Sequence, residues 1–299
     1  MVQRISTGSS SLRTRLAHPV VLVLIGIASV QVGATFAKSL FDEVTPTAMV
    51  WLRLSLSALI LLAIARPRVR GFRRHDWLVV VAFGASLGMM NWAIYQAFAR
   101  LPIGIAVTIE FIGPLTIALV TSRRARDLVW VALAAVGVVL LGLEPGRISV
   151  VGVLFALLAG VCWAAYIVLS KATGARWEGI DGLALASTVA AVALTPAALA
   201  VADGLGSAHV WAIGLMVGLM SSVVPYSLDL VALRSIKPSL YAILMSLEPA
   251  AGALAAILIL REGLSVLQWL AIACVVVASA GATRTGSSEP HVPAESTPV

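Results

Sequence analysis

Two glutamates stand in apolar surroundings, each beside a proline: Glu110 has Pro114 four residues on, and Glu248 is followed directly by Pro249. A charged side chain at the centre of an apolar membrane helix costs roughly 2.5 to 3.5 kcal/mol on insertion scales, so one that is kept there has something to bind. A carboxyl group can take up a proton or hold an ammonium. The competing reading is structural, because proline has no N–H and Pro114 leaves the Glu110 carbonyl without its helical donor, to which a protonated glutamate can donate instead.

Other polar groups fall in the same apolar runs. Lys38 shares a helical stripe with Gln31 and Thr35, at spacings of four and three; its position near the end of the run also lets it snorkel to the interface. Asn91 and Tyr95 are four residues apart, as suits either the lining of a path or polar contacts between helices. Ser222, Tyr226 and Asp229 share a face, with Arg234 close enough in sequence to pair with Asp229. Arg53, with Ser57 one turn away, reads as a structural ion pair or a snorkelling side chain. Trp163 and Tyr166 read as packing or interfacial aromatics.

The elements that position these groups are membrane-spanning helices. The chain has 299 residues, 60% of them hydrophobic and 12% charged, and a mean hydropathy of +1.00, far outside the soluble globular range. Apolar runs of about 17 to 25 residues suit a helix that crosses the hydrocarbon core. Ten are expected: 18 to 40, 46 to 65, 77 to 98, 103 to 122, 128 to 144, 150 to 170, 181 to 201, 209 to 231, 239 to 260 and 265 to 283. The net charge of +7 does not form the basic stripe that a nucleic acid needs. With the N-terminus in the cytoplasm, sixteen Lys and Arg lie inside, among them Arg66, Arg73, Arg123 and Arg124, against Arg100, Arg147 and Arg261 outside. That bias predicts a multi-pass protein of the inner membrane with both termini cytoplasmic.

The two halves resemble each other. Asn91-Trp92-Ala93-Ile94-Tyr95-Gln96-Ala97-Phe98, leading to Pro102 and Glu110, parallels Tyr226-Ser227-Leu228-Asp229-Leu230-Val231-Ala232-Leu233, leading to Pro238 and Glu248. Five spans per half, an odd number, require opposite orientations. The expected fold is therefore an all-α membrane protein of ten transmembrane helices in two inverted five-helix repeats, residues 18–144 and 150–283, after a cytoplasmic segment 1–17 and before a disordered cytoplasmic tail 284–299.

Ala37-Lys38-Ser39-Leu40-Phe41, Glu110-Phe111-Ile112-Gly113-Pro114-Leu115, Pro225-Tyr226-Ser227-Leu228 and Met245-Ser246-Leu247-Glu248-Pro249-Ala250 resemble the threonine and homoserine exporters of the EamA family, in the drug/metabolite transporter superfamily. The similarity runs over roughly residues 18 to 283. Asp229 departs from it, standing where a glutamate is expected. The resemblance implies export of small amino acids driven by the proton gradient. A zwitterionic amino acid needs an anion for its ammonium and a donor for its carboxylate, and Glu110 or Glu248 together with Lys38 would supply both. The substrate-binding or proton-coupling set is then Glu110, Glu248, Lys38, Asn91, Tyr95, Tyr226 and Asp229, with a small molecule, protons and membrane lipid as partners and no nucleic acid. A different metabolite or drug is the alternative substrate.

Covalent chemistry finds little support. Gly84-Ala85-Ser86-Leu87-Gly88 matches a nucleophile elbow, but that motif needs a strand-to-helix turn and a histidine base. Ser86 lies in an apolar helical run, and His18, His75, His209 and His291 fall at span ends, in loops or in the tail. Cys162 and Cys274 have no neighbours that would make a zinc site. No Walker A loop occurs, so ATP is not the direct energy source, and no cofactor is expected.

Overall fold

The computed structural model describes residues 19–67, 69, 71–122, 128–142, 149–232, 235 and 238–286, and among these no strand occurs. The expected segment 1–17 lies outside the described residues, as does the expected tail beyond Gly286. The helices are α1 (Pro19–Ser39), α2 (Pro46–Ala65), α3 (Arg74–Phe98), α4 (Ile103–Glu110), α5 (Ile112–Ser122), α6 (Leu128–Gly142), α7 (Val150–Gly174) and α8 (Asp181–Leu199), then α9 (Ala208–Gly218), α10 (Val224–Ala232), α11 (Pro238–Met245), α12 (Glu248–Leu260) and α13 (Val266–Gly286). A π-helical stretch, Leu219–Val223, joins α9 to α10.

Eight helical stretches are long and apolar enough to cross a membrane, two of them running across the α9–α10 and α11–α12 junctions; the apolar stretches Ile103–Ile117 and Leu128–Leu140 are shorter. In hydrocarbon a backbone must satisfy its own hydrogen bonds, which leaves helices as the means by which such apolar runs cross. Their ends are capped locally. Thr45 precedes Pro46 and its hydroxyl accepts from the Ala48 N–H at 3.3 Å, and the Ser149 hydroxyl accepts from Gly152 at 3.2 Å. Pro46 at the first helical position loses no hydrogen bond, since that N–H has no helical acceptor.

The outward surface is apolar. Leu258 is 80% exposed, and Leu78, Val161 and Val266 also face out, as they do on a lipid-facing bundle. Polar side chains are instead inside: Gln31, Thr35, Ser57, Asn91, Glu110 and Glu248 are all buried. The helices interleave the two halves of the chain. α3 packs along α7 and α8, α1 against α10 and α12, α2 against α8 and α9, and α4 and α5 against α7. α4 also meets α12, and α6 lies against α13.

The expected fourth, eighth and ninth spans are not continuous α-helices. The fourth breaks at Phe111, the ninth at Ser246 and Leu247, and the eighth widens into the π-helical stretch. Proline is the cause at the first and third of these places. Pro114 and Pro225 cannot donate to the carbonyls of Glu110 and Ser221, so each helix must loosen or find other donors one turn earlier.

Candidate functional site

Glu110 ends α4 and Glu248 begins α12, so both glutamates sit at interruptions. Around the first, Phe111 N–H still donates to the Val107 carbonyl at 3.0 Å, and Leu115 N–H to the Phe111 carbonyl at 3.2 Å. The freed Glu110 carbonyl lies against Gly160 of α7: a β-carbon there would come within 2.7 Å of that oxygen, and one on Gly113 would overlap the Gly160 carbonyl. Two glycines thus let α5 and α7 cross backbone to backbone beside Glu110. Around the second, Pro249 fills the first turn of α12 at no cost in hydrogen bonds and leaves Glu248 at the helix N-terminus.

Both side chains face one cavity of about 560 Å³, a size usual for small-molecule sites. Glu110 is 8% exposed and Glu248 7%, and neither carboxyl has a hydrogen bond or ion pair among the described residues. The structural reading, a glutamate donating to a carbonyl freed by proline, is therefore not the arrangement seen.

Of the other residues expected at the site, Asn91, Tyr95 and Asp229 also line the cavity. The Asn91 amide donates to the Leu87 carbonyl at 2.8 Å, one turn back in its own helix. Tyr95 is fully buried, its ring tilted against Phe41 and Phe98 at 6.1 and 5.7 Å. Asp229 accepts from the Tyr241 hydroxyl at 2.9 Å; Arg234, its expected partner, lies outside the described residues, as does the Tyr226 side chain.

Lys38 is not on the cavity wall. Its ammonium pairs with Glu262 at 2.5 Å and donates to the Leu101 carbonyl at 2.8 Å, while Gln31 of the same stripe does face the cavity. The stripe divides because Lys38 stands at the last turn of α1, where the α12–α13 connection brings Glu262 within reach.

Three side chains not expected at the site belong to its wall. Trp163 and Tyr166 line it while packing against Phe111 and Phe83 at 5.3 and 5.0 Å. Arg53 lines it too, and the structural ion pair expected for it is absent among the described residues. Its guanidinium instead donates to the Tyr95 hydroxyl and to the Ser221 carbonyl, each at 3.4 Å, and lies 5.7 Å from the centre of the Tyr95 ring. The π-helical stretch is tied down on the same side by Ser29, which donates to the Met220 carbonyl at 2.7 Å, and by Ser57, which donates to the Ser222 hydroxyl at 3.0 Å. The usable sequence signal was Pro225, which frees the carbonyl that Arg53 takes.

Ser86, the centre of the elbow-like motif, donates to the Cys162 carbonyl at 2.8 Å and links α3 to α7. Among the described residues no group of His, Cys, Asp and Glu is placed to hold a metal ion.

A lipid-facing helical bundle whose interrupted helices present paired carboxyl groups to an inner cavity defines a multi-pass membrane protein of the transporter type. Residues 150–284 match the EamA-like transporter family. The threonine/homoserine exporters RhtA of Escherichia coli (strain K12) and Salmonella typhimurium (strain LT2) are each 38% identical over 278 residues, covering 92% of this chain and 94% of theirs. The chain belongs to the EamA-like transporter family, and it sits among transporters rather than enzymes. A solved crystal structure, 20% identical, superposes with a TM-score of 0.61 over 90% of this chain and 99% of its own, which shows a shared fold.

Proposed function

We propose that this protein exports small amino acids of the threonine and homoserine kind by proton-coupled alternating access. The observation that carries the reading is the pair of buried glutamates that face one cavity and have no partner among the described residues, taken with the extent of identity to named exporters. The substrate ammonium binds best beside Glu110. That carboxyl stands at the C-terminal end of α4, where the partial negative charge of the helix end adds to its own. Glu248, at the N-terminus of α12, faces the opposite dipole end. Proton and ammonium compete for the same carboxyl group, and that competition couples the two fluxes. Asn91, Tyr95 and Asp229 complete the proposed substrate or proton site.

Ten crossings in two inverted repeats, residues 18–144 and 150–283, are the architecture we propose, in the inner membrane with both termini cytoplasmic. Support comes from packing that recurs when the halves are exchanged. The α3–α7 contact corresponds to α10–α1, α4 and α5 on α7 correspond to α11 and α12 on α1, and α3–α8 corresponds to α9–α2. The pairs α2–α8 and α6–α13 map onto themselves, as contacts across a two-fold axis do.

The test is efflux of labelled amino acids from loaded vesicles carrying the purified protein, across a panel of substrates and with or without an imposed pH gradient. Gradient-stimulated efflux of threonine or homoserine is expected. Efflux confined to other metabolites would move the protein to a different substrate class within the superfamily.

A further inference from the structure

The cavity carries more acid than base. Among the described residues its wall has three carboxyl groups, those of Glu110, Asp229 and Glu248, and Arg53 is its sole Lys or Arg side chain. Arginine is costly to desolvate within a membrane protein and is normally found against a carboxylate. Here no carboxylate lies within ion-pairing distance of it among the described residues. Among the described residues its buried Nε has no acceptor, and its two terminal nitrogens make only the long contacts to the Tyr95 hydroxyl and the Ser221 carbonyl.

Those two contacts hold the guanidinium without neutralising it. One comes from α3 and the other from the π-helical stretch, whose Ser221 carbonyl is free because Pro225 cannot donate to it. Ser221 also presents, in the same wall, a buried hydroxyl with no partner among the described residues. A planar fork of N–H donors with unused capacity is matched by a carboxylate, which accepts two parallel charge-assisted hydrogen bonds.

We propose that Arg53 is the anchor for the substrate's α-carboxylate, so that a zwitterion lies across the cavity with its carboxylate at Arg53 and its ammonium toward Glu110 and Glu248. This rests on the amino-acid reading above and replaces Lys38, which Glu262 already neutralises, as the carboxylate donor. Arg53 then sets specificity for the α-carboxylate, while the acidic groups serve the amine.

The experiment compares binding of labelled threonine and threonine amide, which keeps the amine and side chain but has no carboxylate, to the purified full-length protein in wild type, Arg53→Gln and Arg53→Lys. A charge-assisted hydrogen bond is worth about 1.5 to 3 kcal/mol, so wild type should favour threonine by at least about tenfold. In Arg53→Gln that ratio should fall close to one, with the amide bound at least as well as by wild type, which also shows that the cavity is intact. Arg53→Lys keeps the charge without the fork and should give an intermediate ratio; if the glutamine variant is not recovered folded, a fall of about threefold or more in the lysine variant carries the test. An undiminished preference for threonine in Arg53→Gln, or in Arg53→Lys where it alone is recovered, overturns the anchor and leaves the exporter reading standing. A wild-type protein that binds neither compound overturns the exporter reading, and the anchor with it.

Discussion

Lys38 and Glu262, 224 positions apart in sequence, form an ion pair of 2.5 Å that fastens the end of α1 to the connection between α12 and α13. Each partner is also bound to the backbone flanking Pro102: Lys38 donates to the Leu101 carbonyl at 2.8 Å, and Glu262 accepts from the Ile103 N–H at 3.0 Å. A carboxylate at the first N–H of α4 is favourably placed in the field of that helix. The pair thus ties three elements together at the end of the bundle where α3 gives way to α4.

Removing one member leaves the other half-buried and uncompensated, so Lys38→Met or Glu262→Gln should destabilise the fold. Full burial would make the loss larger; with both side chains 19% exposed, about 1 to 2 kcal/mol is expected. The double variant Lys38→Met with Glu262→Gln, which leaves neither charge behind, should lose less than the sum of the two single losses. Thermal unfolding of the purified variants in detergent measures both effects, and strictly additive losses would speak against direct pairing.

The crossing of α5 and α7 makes a second expectation. Gly113→Ala and Gly160→Ala each introduce a methyl group into space held by the opposing backbone, at 2.7 Å or closer, and overpacking of this kind costs roughly 1 to 3 kcal/mol. Gly174→Ala, where nothing lies within 4 Å, serves as the control and should be neutral or better. Melting temperatures of the three variants decide the matter, and equal values would show that the helices do not meet as closely as described.

Much of this was legible in sequence, and the parts that were not share a cause. Glu110 and Glu248 stood out because a carboxyl group in an apolar run is costly wherever it points, and burial could be read without knowing a partner. Pro114 announced the weakness of its helix for an equally local reason. The partners of Lys38 and Arg53 were not legible, because helical periodicity gives the face of a residue but not the neighbour across from it. Lys38 is held by Glu262 and the Leu101 carbonyl, and Arg53 by the Tyr95 hydroxyl and the Ser221 carbonyl, the latter 168 positions away. Those neighbours are fixed by how the two halves interleave, which no single helix encodes.

The proposed orientation predicts the labelling pattern of single cysteines. With Cys162 and Cys274 replaced by alanine, a cysteine at position 124 should react with an impermeant maleimide only from the cytoplasmic side, and one at position 204 only from outside. The reverse pattern would contradict the proposed orientation, by an inverted insertion or by a miscounted span before position 124.

The central claim is that Glu110 and Glu248 couple protons to substrate, and gradient-driven efflux from vesicles tests it most directly. Glu110→Gln and Glu248→Gln each fix a carboxyl group as a neutral amide of nearly the same shape, so helix packing should survive while proton exchange at that position is lost. Threonine or homoserine efflux from loaded vesicles is measured with and without an imposed pH gradient, beside exchange of substrate for substrate. At least one variant should lose the stimulation by the gradient, with exchange partly kept because that half-cycle releases no proton. Full gradient-dependent efflux in both variants would contradict the account and remove the two glutamates from the coupling mechanism.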